Sequence, residues 1–200
     1  MSRSGMAPAT WGNVSAIDRE RGVVAITPSG MAYESLSPED ICLIDIQGNS
    51  IDKKWKPSTE TPLHLVFYRN RPDIGAVVHT HSVYATAFAS VGREIPVLIA
   101  TLASGVGGRV PVAAYQPSGT EEFGTAALSA MGDRTAVLLA NHGVVAVGKD
   151  LNDAYTVAEL VENAAKIAIL AWIIGEPAEL PQEEVSRLRR KYLTKYGQKG

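Results

Sequence analysis

An apolar segment that ends in two histidines constrains this chain more than any other stretch. The residues Ala76-Val77-Val78 lead directly into His79-Thr80-His81. A short apolar run of this kind is typical of a β-strand. Side chains at positions i and i+2 of a strand lie on the same face, so His79 and His81 present their imidazoles side by side where the strand ends. The segment therefore predicts a buried strand whose end supplies half of a metal site.

A third histidine is available to complete this site. Neutral imidazole is a favoured ligand of Zn²⁺, and a tetrahedral catalytic site needs one more protein donor and an open position. Of the four histidines in the chain, His142 lies in a turn-like break between two apolar runs and is the natural third ligand. His64 lies one turn into a predicted helix, where we expect it to pack. The alternative is a strand end with two half-buried, hydrogen-bonded histidines.

Composition and charge exclude several classes of protein. The chain has 200 residues with 46% apolar content, which suits one globular domain. A formal charge of −2 gives no electrostatic footprint for nucleic acid or for an anionic membrane, so any anion site must be local. Cys42 is the sole cysteine, which excludes a disulfide framework and predicts a buried structural thiol. No apolar run approaches the roughly 20 residues of a membrane span. We expect a cytoplasmic protein.

The order of predicted elements indicates the fold class. Strands and helices alternate without a strict βαβ pattern, and two early hairpin arms favour a mixed or antiparallel sheet covered by helices. We therefore predict one α/β/α domain over residues 1–200, with residues 1–11 loosely ordered. The apolar run Ile95–Ala100 predicts a further strand, and Ser104–Gly108 predicts a mobile glycine-rich loop.

Two hydroxyl-rich segments predict an anion site. The turn Thr27-Pro28-Ser29-Gly30 offers hydroxyls and free backbone N–H groups, and together with Asn13 it could hold a phosphate through neutral donors. Its alternative is a plain turn. Ser58 and Thr59 stand at the start of a predicted helix, where the positive end of the helix dipole favours anions. Glu60 follows them, either as an ordinary first-turn acid or as a group that moves a proton.

A metal beside a phosphate site indicates a particular chemistry. The chain has no Walker motif, so the combination suggests a small phosphorylated substrate whose oxygens chelate the ion. Polarisation of a ketone by a Lewis acid stabilises an enediolate, the intermediate of aldol cleavage and enolisation. Such a reaction also needs a proton-transfer group, and Glu60 is suitably placed in the sequence.

Taken together, the motifs resemble one family. The segments Gly12-Asn13-Val14-Ser15, Thr27-Pro28-Ser29-Gly30, Lys56-Pro57-Ser58-Thr59-Glu60, His79-Thr80-His81-Ser82 and Asn141-His142-Gly143 are similar, in the same order, to the class II aldolase/adducin-head family. The resemblance runs from about Gly12 to the C-terminus. It implies a three-layer α/β/α sandwich with a mixed, mostly antiparallel central sheet. It also implies one Zn²⁺ per subunit and a homotetramer with active sites at subunit interfaces.

The resemblance also implies roles for individual residues. It implies that His79, His81 and His142 bind zinc, and that Glu60 ligates the zinc in the free enzyme and acts as acid/base once substrate displaces it. The phosphate ligands of the family fall on Gly12, Asn13, Ser29, Gly30, Ser58 and Thr59. Tyr196 matches a C-terminal tyrosine that reaches into a neighbouring subunit's site as a proton donor.

The family contains more than one activity. We favour zinc-dependent cleavage of a ketose 1-phosphate, such as L-fuculose 1-phosphate, to dihydroxyacetone phosphate and an aldehyde, because the aldolases have Glu where this chain has Glu60 and the 4-epimerases have Asp. The alternatives are L-ribulose-5-phosphate 4-epimerisation, a related dehydratase or 5-deoxypentulose-phosphate aldolase, and a non-enzymatic scaffold like the adducin head.

The chain departs from the family pattern in two respects, near Ala100 and Ser104 and before Gly12. Ala100 stands where the aldolases have a second catalytic tyrosine, and Ser104 stands where the epimerases have an aspartate. Too few residues precede Gly12 for the further helix that the family has there. The segment Val14–Asp18 is closer to the epimerases.

Overall fold

The computed structural model describes residues 4–52 and 54–195, which form one open sheet with helices on both faces. The sheet order is β3-β2-β1-β4-β7-β6-β5. Neighbouring strands are antiparallel except β5 and β6, which are parallel. The strands are β1 (Asn13–Asp18), β2 (Val23–Ile26), β3 (Cys42–Asp45), β4 (Ala76–Thr80), β5 (Val112–Ala113), β6 (Ala136–Leu139) and β7 (Gly143–Gly148). The helices are α1 (Thr61–Asn70), α2 (Val83–Ser90), α3 (Ala100–Val106), α4 (Glu121–Met131), α5 (Leu151–Ile174) and α6 (Gln182–Lys195).

The helices form two layers because β4, β6 and β7 bury apolar side chains on both faces of the sheet. On one face, Val77 of β4 packs with Leu63 of α1 and Phe123 of α4. On the other face, Val78 packs in a cluster that includes residues of α2, α3 and α5. The prediction of a three-layer α/β/α sandwich with a mostly antiparallel sheet is confirmed. None of the helices in the described ranges is both long and apolar enough to cross a bilayer.

The sheet topology positions the end of β4. This strand lies in the middle of the sheet, with β1 on one side and β7 on the other. In the observed register His79 stands opposite Asn13 of β1 and opposite Val145 of β7. The turn between β6 and β7 therefore emerges beside the end of β4, and the start of β1 flanks it on the other side.

Two predicted elements between β4 and β5 are wrong. Ile95 makes only an isolated bridge with Val110, because Pro96 has no N–H for a ladder. Ser104, which we expected in a mobile loop, lies inside α3. This helix ends at Gly107, whose φ of +89° is a left-handed conformation that favours glycine.

The segment before β1 is attached more closely than we expected. Met6 and Ala7 are each 3% exposed, and Met6 packs in the core beside α2 and α5. The backbone N–H of His81 donates to the carbonyl of Met6 at 3.1 Å. This segment is short and has no periodic pattern, so its two buried apolar residues gave no recognisable signal in the sequence.

Candidate functional site

Three imidazoles converge at the end of β4. The Nε2 atom of His79 lies 3.0 Å from Nε2 of His81 and 3.2 Å from Nε2 of His142. One ligand atom from each of the three residues lies within 4.8 Å of the others. Tetrahedral zinc with Zn–N bonds of about 2.0–2.1 Å separates its nitrogens by roughly 3.4 Å. The three nitrogens are therefore close enough together for a single divalent cation to bind all three.

The orientation of His79 is fixed from behind. Its Nδ1–H donates to the carbonyl of Val144 at 2.9 Å, which leaves the Nε2 lone pair free to face the cluster. Burial lowers the pKa of His79, and burial together with the fields of His79 and His142 lowers the pKa of His81 to about 4. Both rings are consequently neutral near pH 7, the form that binds a metal.

The β6–β7 turn delivers His142. Asn141 adopts a left-handed conformation with φ of 57°, which asparagine tolerates better than most residues. A Cβ on Gly143 would lie 2.3 Å from the carbonyl oxygen of Thr80, so only glycine allows the turn to approach the end of β4 this closely. The Asn-His-Gly sequence thus brings the third ring to the pair.

Glu60 extends the cluster with a carboxylate. It is the residue at the N-terminal cap of α1, but its side chain makes no capping hydrogen bond. Its Oε2 lies 3.3 Å from Nε2 of His79 and accepts a hydrogen bond from Nδ2 of Asn13 at 2.7 Å, while its Oε1 lies 3.1 Å from Nε2 of His142. Burial opposes ionisation, but hydrogen bonds from His142 and Asn13 and the field of His79 together bring the pKa of Glu60 below its usual range. A carboxylate is therefore available as a further metal ligand or as a base.

The two hydroxyl-rich segments lie side by side. The N–H of Ser29 donates to the carbonyl of Lys56 at 2.9 Å, and the N–H of Ser58 donates to the carbonyl of Thr27 at 3.1 Å. These bonds bring the turn after β2 against the start of α1. The two segments border an open cleft of about 230 Å³ whose lining, over the described part of the chain, includes no lysine or arginine. Its lining residues are Thr10, Trp11, Gly12, Asn13, Pro28, Ser29, Gly30, Ser58, Thr59, Glu60, His81, Ser118 and His142.

Comparison with known proteins identifies the family. The family described as "Class II Aldolase and Adducin N-terminal domain" matches residues 1–169. The chain belongs to the class II aldolase and adducin family. It is 44% identical over 198 residues to the 5-deoxy-D-ribulose 1-phosphate aldolase of Bacillus thuringiensis serovar kurstaki, covering 99% of this chain and 92% of that protein.

Solved structures agree with this assignment. An L-fuculose 1-phosphate aldolase superposes with a TM-score of 0.92 at 40% identity, covering 96% of this chain and 90% of that one. The L-fuculose-1-phosphate aldolase from Thermus thermophilus gives a TM-score of 0.77 at 29% identity, covering 88% and 91% of the two chains. Because these relatives are aldolases, the chain is a class II aldolase, and the prediction of a lyase is confirmed.

Most of the residues that the sequence singled out meet in this class II aldolase. The cleft brings together both predicted groups, the six phosphate-site residues and the metal-site residues Glu60, His81 and His142. His79 is fully buried behind His81 and His142. Tyr196 lies outside the described residues. Ala100 and Ser104 line a different cleft, together with residues of α5 and α6, so neither faces the histidines of its own chain.

Sequence reasoning missed three residues of the cleft: Thr10, Trp11 and Ser118. Trp11 is 61% exposed, and its ring meets His81 edge-on with centroids 5.3 Å apart. Ser118 lines the opposite side; a Cβ on its neighbour Gly119 would lie 3.1 Å from the carbonyl oxygen of Thr59. We expected residues 1–11 to be loosely ordered. An aromatic residue directly before the Gly12-Asn13 motif was the one sequence signal that could have identified Trp11.

Proposed function

We propose that this chain is a zinc-dependent aldolase that cleaves a ketose 1-phosphate to dihydroxyacetone phosphate and an aldehyde. The observation that carries the proposal is the convergence of His79, His81, His142 and the Glu60 carboxylate beside a cleft bordered by neutral anion donors. Three imidazoles with a carboxylate match the nitrogen and oxygen donors that zinc takes in catalytic sites. The named activities of the relatives support the choice of a sugar 1-phosphate.

The cleft divides the work between binding and chemistry. The hydroxyls of Ser29, Ser58 and Thr59 and the backbone N–H groups of Gly30 and Thr59 hold the phosphate group, with Gly12 and Asn13 on the facing side. A divalent cation on the histidines, when bound, supplies Lewis-acid polarisation of the ketone. Glu60 takes the proton from the C4 hydroxyl oxygen as the C3–C4 bond breaks, and it returns a proton to C3 of the departing three-carbon fragment or passes it to Tyr196 of a neighbouring subunit.

The experiment compares three sugar phosphates. Metal-stripped and zinc-reloaded protein is incubated with 5-deoxyribulose 1-phosphate, L-fuculose 1-phosphate and L-ribulose 5-phosphate, and dihydroxyacetone phosphate is measured. Retro-aldol cleavage of the first would give acetaldehyde, and cleavage of the second would give lactaldehyde. We expect dihydroxyacetone phosphate from at least one 1-phosphate, only in the reloaded protein. If neither 1-phosphate gave dihydroxyacetone phosphate, the proposal would be wrong.

One outcome would replace aldol cleavage by epimerisation. The segment Val14–Asp18 favours this second candidate because it is closer in sequence to the 4-epimerases. Formation of xylulose 5-phosphate from L-ribulose 5-phosphate, without dihydroxyacetone phosphate from the 1-phosphates, would establish it. The nature of the metal is tested separately by measuring bound zinc in the wild type and in His142→Ala, where we expect the bound zinc to be lost.

A further inference from the structure

A buried column of polar side chains leads from Glu60 into the protein interior. It lies between α1 and β1, and each of its residues is 8% exposed or less. Asn13 connects Glu60 to His64. Its Nδ2 donates to Oε2 of Glu60 at 2.7 Å, and its Oδ1 lies 2.5 Å from Nε2 of His64. Nδ1 of His64 lies 2.6 Å from the hydroxyl of Ser15, which in turn lies 2.7 Å from the hydroxyl of Tyr68. The carboxylate in the cleft is thus connected to a tyrosine at the far end of α1.

The column forms because the spacing of its side chains along α1 matches their spacing along β1. Glu60, His64 and Tyr68 are four residues apart along α1, a rise of about 6 Å per step. Asn13 and Ser15 are two residues apart on β1, a rise of about 6.6 Å. The side chains of the strand therefore fit between those of the helix, and the two sets interdigitate. Asn13 and Ser15 lie on the same face of the sheet as His79 and Val77, their partners in the register.

Hydrogen-bond chemistry fixes the direction of every bond. The carboxylate of Glu60 only accepts, so the amide of Asn13 must turn its NH₂ toward it and its oxygen toward His64. Nε2 of His64 must then carry the proton, and Nδ1 must accept from the hydroxyl of Ser15. The hydroxyl of Ser15, having donated its proton, accepts from Tyr68. Each member leaves only one arrangement for the next.

We propose that His64 is a positioning residue, which holds the amide of Asn13 so that it aims the Glu60 carboxylate between His79 and His142. Glu60 is the N-terminal cap residue of α1 but makes no capping bond. Among the described residues, Asn13 is the one group other than a histidine that hydrogen-bonds the carboxylate. Without His64 the amide of Asn13 is free to rotate, and the Glu60 carboxylate is no longer held between His79 and His142. This inference rests on the proposed role of Glu60 in proton transfer.

The first test separates positioning from packing. His64→Leu keeps an apolar body of similar size and removes the donor, whereas the side-chain amide of His64→Gln can place an N–H near Nε2. We expect His64→Leu to lower kcat by about 10- to 100-fold, because misplacement by about 1 Å is this costly, while KM changes little. We expect His64→Gln to recover much of the loss. The matched control is Phe67→Leu, a core substitution on the same helix outside the column.

The second test does not depend on turnover. In protein labelled with ¹⁵N histidine, NMR should show His64 protonated at Nε2 and unprotonated at Nδ1, with a slowly exchanging Nε2–H. Because the column transmits the orientation of Asn13, Glu60→Ala should shift the Nε2–H resonance of His64 although the two residues are joined only through Asn13.

The outcomes separate this inference from the proposed function. An unchanged kcat in His64→Leu, an equal loss of kcat in Phe67→Leu, or an Nδ1-protonated His64 would each overturn the positioning role. A wild type that cleaves neither 1-phosphate would overturn the proposed function. In that case the NMR measurement alone tests the positioning role of His64, and an Nε2–H resonance unaffected by Glu60→Ala would overturn that role.

Discussion

Glu60 is the residue on which the proposed chemistry depends most directly. We expect Glu60→Gln to retain most of its zinc, because the three histidines remain, and to lose on the order of a hundredfold or more in kcat, as is typical when an acid/base group is removed. Steady-state kinetics with metal analysis of the same sample checks both. Glu122→Gln, at an exposed glutamate in the first turn of α4, is the control. Near-normal turnover in Glu60→Gln would remove this residue from its role.

The burial of His64 makes the fold sensitive to acid. Burial, with a smaller contribution from His79, lowers the pKa of this imidazole from 6.5 to about 3. Between these values the unfolded chain binds a proton that the folded chain does not. Stability is therefore complete above pH 6.5 and falls as the pH drops toward 3, by up to about 1.4 kcal/mol per pH unit.

Urea unfolding of metal-free protein at about pH 7.5, 5.5 and 4.5, on either side of the ordinary histidine pKa, measures this effect. We expect the free energy of unfolding to fall more steeply with acid in the wild type than in His64→Gln, which has no group titrating in this range at that position. Parallel curves for the two proteins would contradict the assignment.

The sequence was sufficient to predict some of these site residues but not the contacts between others. His79 and His81 were predictable because the i, i+2 geometry of a strand needs no tertiary knowledge. Predicting His142 as the third ligand required only that its turn lie at the same edge of the sheet as the end of β4. The bonds from Asn13 to Glu60 and His64 join residues 47 and 51 positions apart, and only the packing of α1 on β1 creates them. Both amide functions of Asn13 have protein partners, which the prediction of a phosphate ligand alone did not include.

At the scale of elements, glycines set how closely β7 and α5 approach. A Cβ on Gly148 would lie 2.3 Å from the backbone nitrogen of Ala154 and 2.8 Å from the carbonyl carbon of Asp153. We expect Gly148→Ala to cost about 1–3 kcal/mol of stability, since backbone atoms of the first turn of α5 must shift. Denaturant unfolding measures the change.

Gly175, at the other end of α5, is the matched control. Its φ of 178° is extended, and a Cβ there would meet no atom within 4 Å. Gly175→Ala should therefore stay within about 0.5 kcal/mol of the wild type. Equal effects at the two positions would show that a general effect of replacing glycine by alanine, and not the close approach of β7 to α5, determines the cost.

The wrong prediction between β4 and β5 also belongs to this scale. Ile95–Ala100 is rich in apolar and β-branched residues, which favours a strand locally. In the structure Val97 instead packs with Ala103 of α3 and Val185 of α6. The helix that closes this cluster, α6, is far along the chain, so a local pattern could not indicate it. In contrast, β4 was predictable because its apolar run, which ends in two histidines, is a local pattern.

At the scale of the whole molecule, the end of α5 presents an apolar surface. Ile173 and Ile174 are 76% and 88% exposed, and Leu170 and Trp172 lie beside them. Large exposed apolar patches are typical of interaction surfaces. If the homotetramer implied by the family resemblance forms through this surface, Ile173→Asp should lower the mass measured by light scattering. An unchanged far-ultraviolet circular dichroism spectrum would show that the variant folds, and an unchanged mass would exclude this surface.

Tyr196 permits a test of shared active sites. If it acts in a neighbouring subunit, Glu60→Gln and Tyr196→Phe subunits are each deficient, yet a mixed oligomer contains sites with both residues intact. We expect partial recovery of activity when the two variants are unfolded together and refolded, measured against each variant refolded alone. No recovery would indicate that each site uses only its own chain.

The absence of lysine and arginine from the cleft lining, as far as the described residues form it, has a kinetic consequence. A dianionic substrate that approaches a protein of formal charge −2 gains no long-range attraction from the phosphate donors, because backbone and hydroxyl dipoles act only at contact. In the metal-free protein the association rate constant should therefore change little with ionic strength, whereas a divalent cation on the histidines would add its own attraction. Capture then depends on collisions that already carry the right orientation, and selectivity among anions arises after encounter.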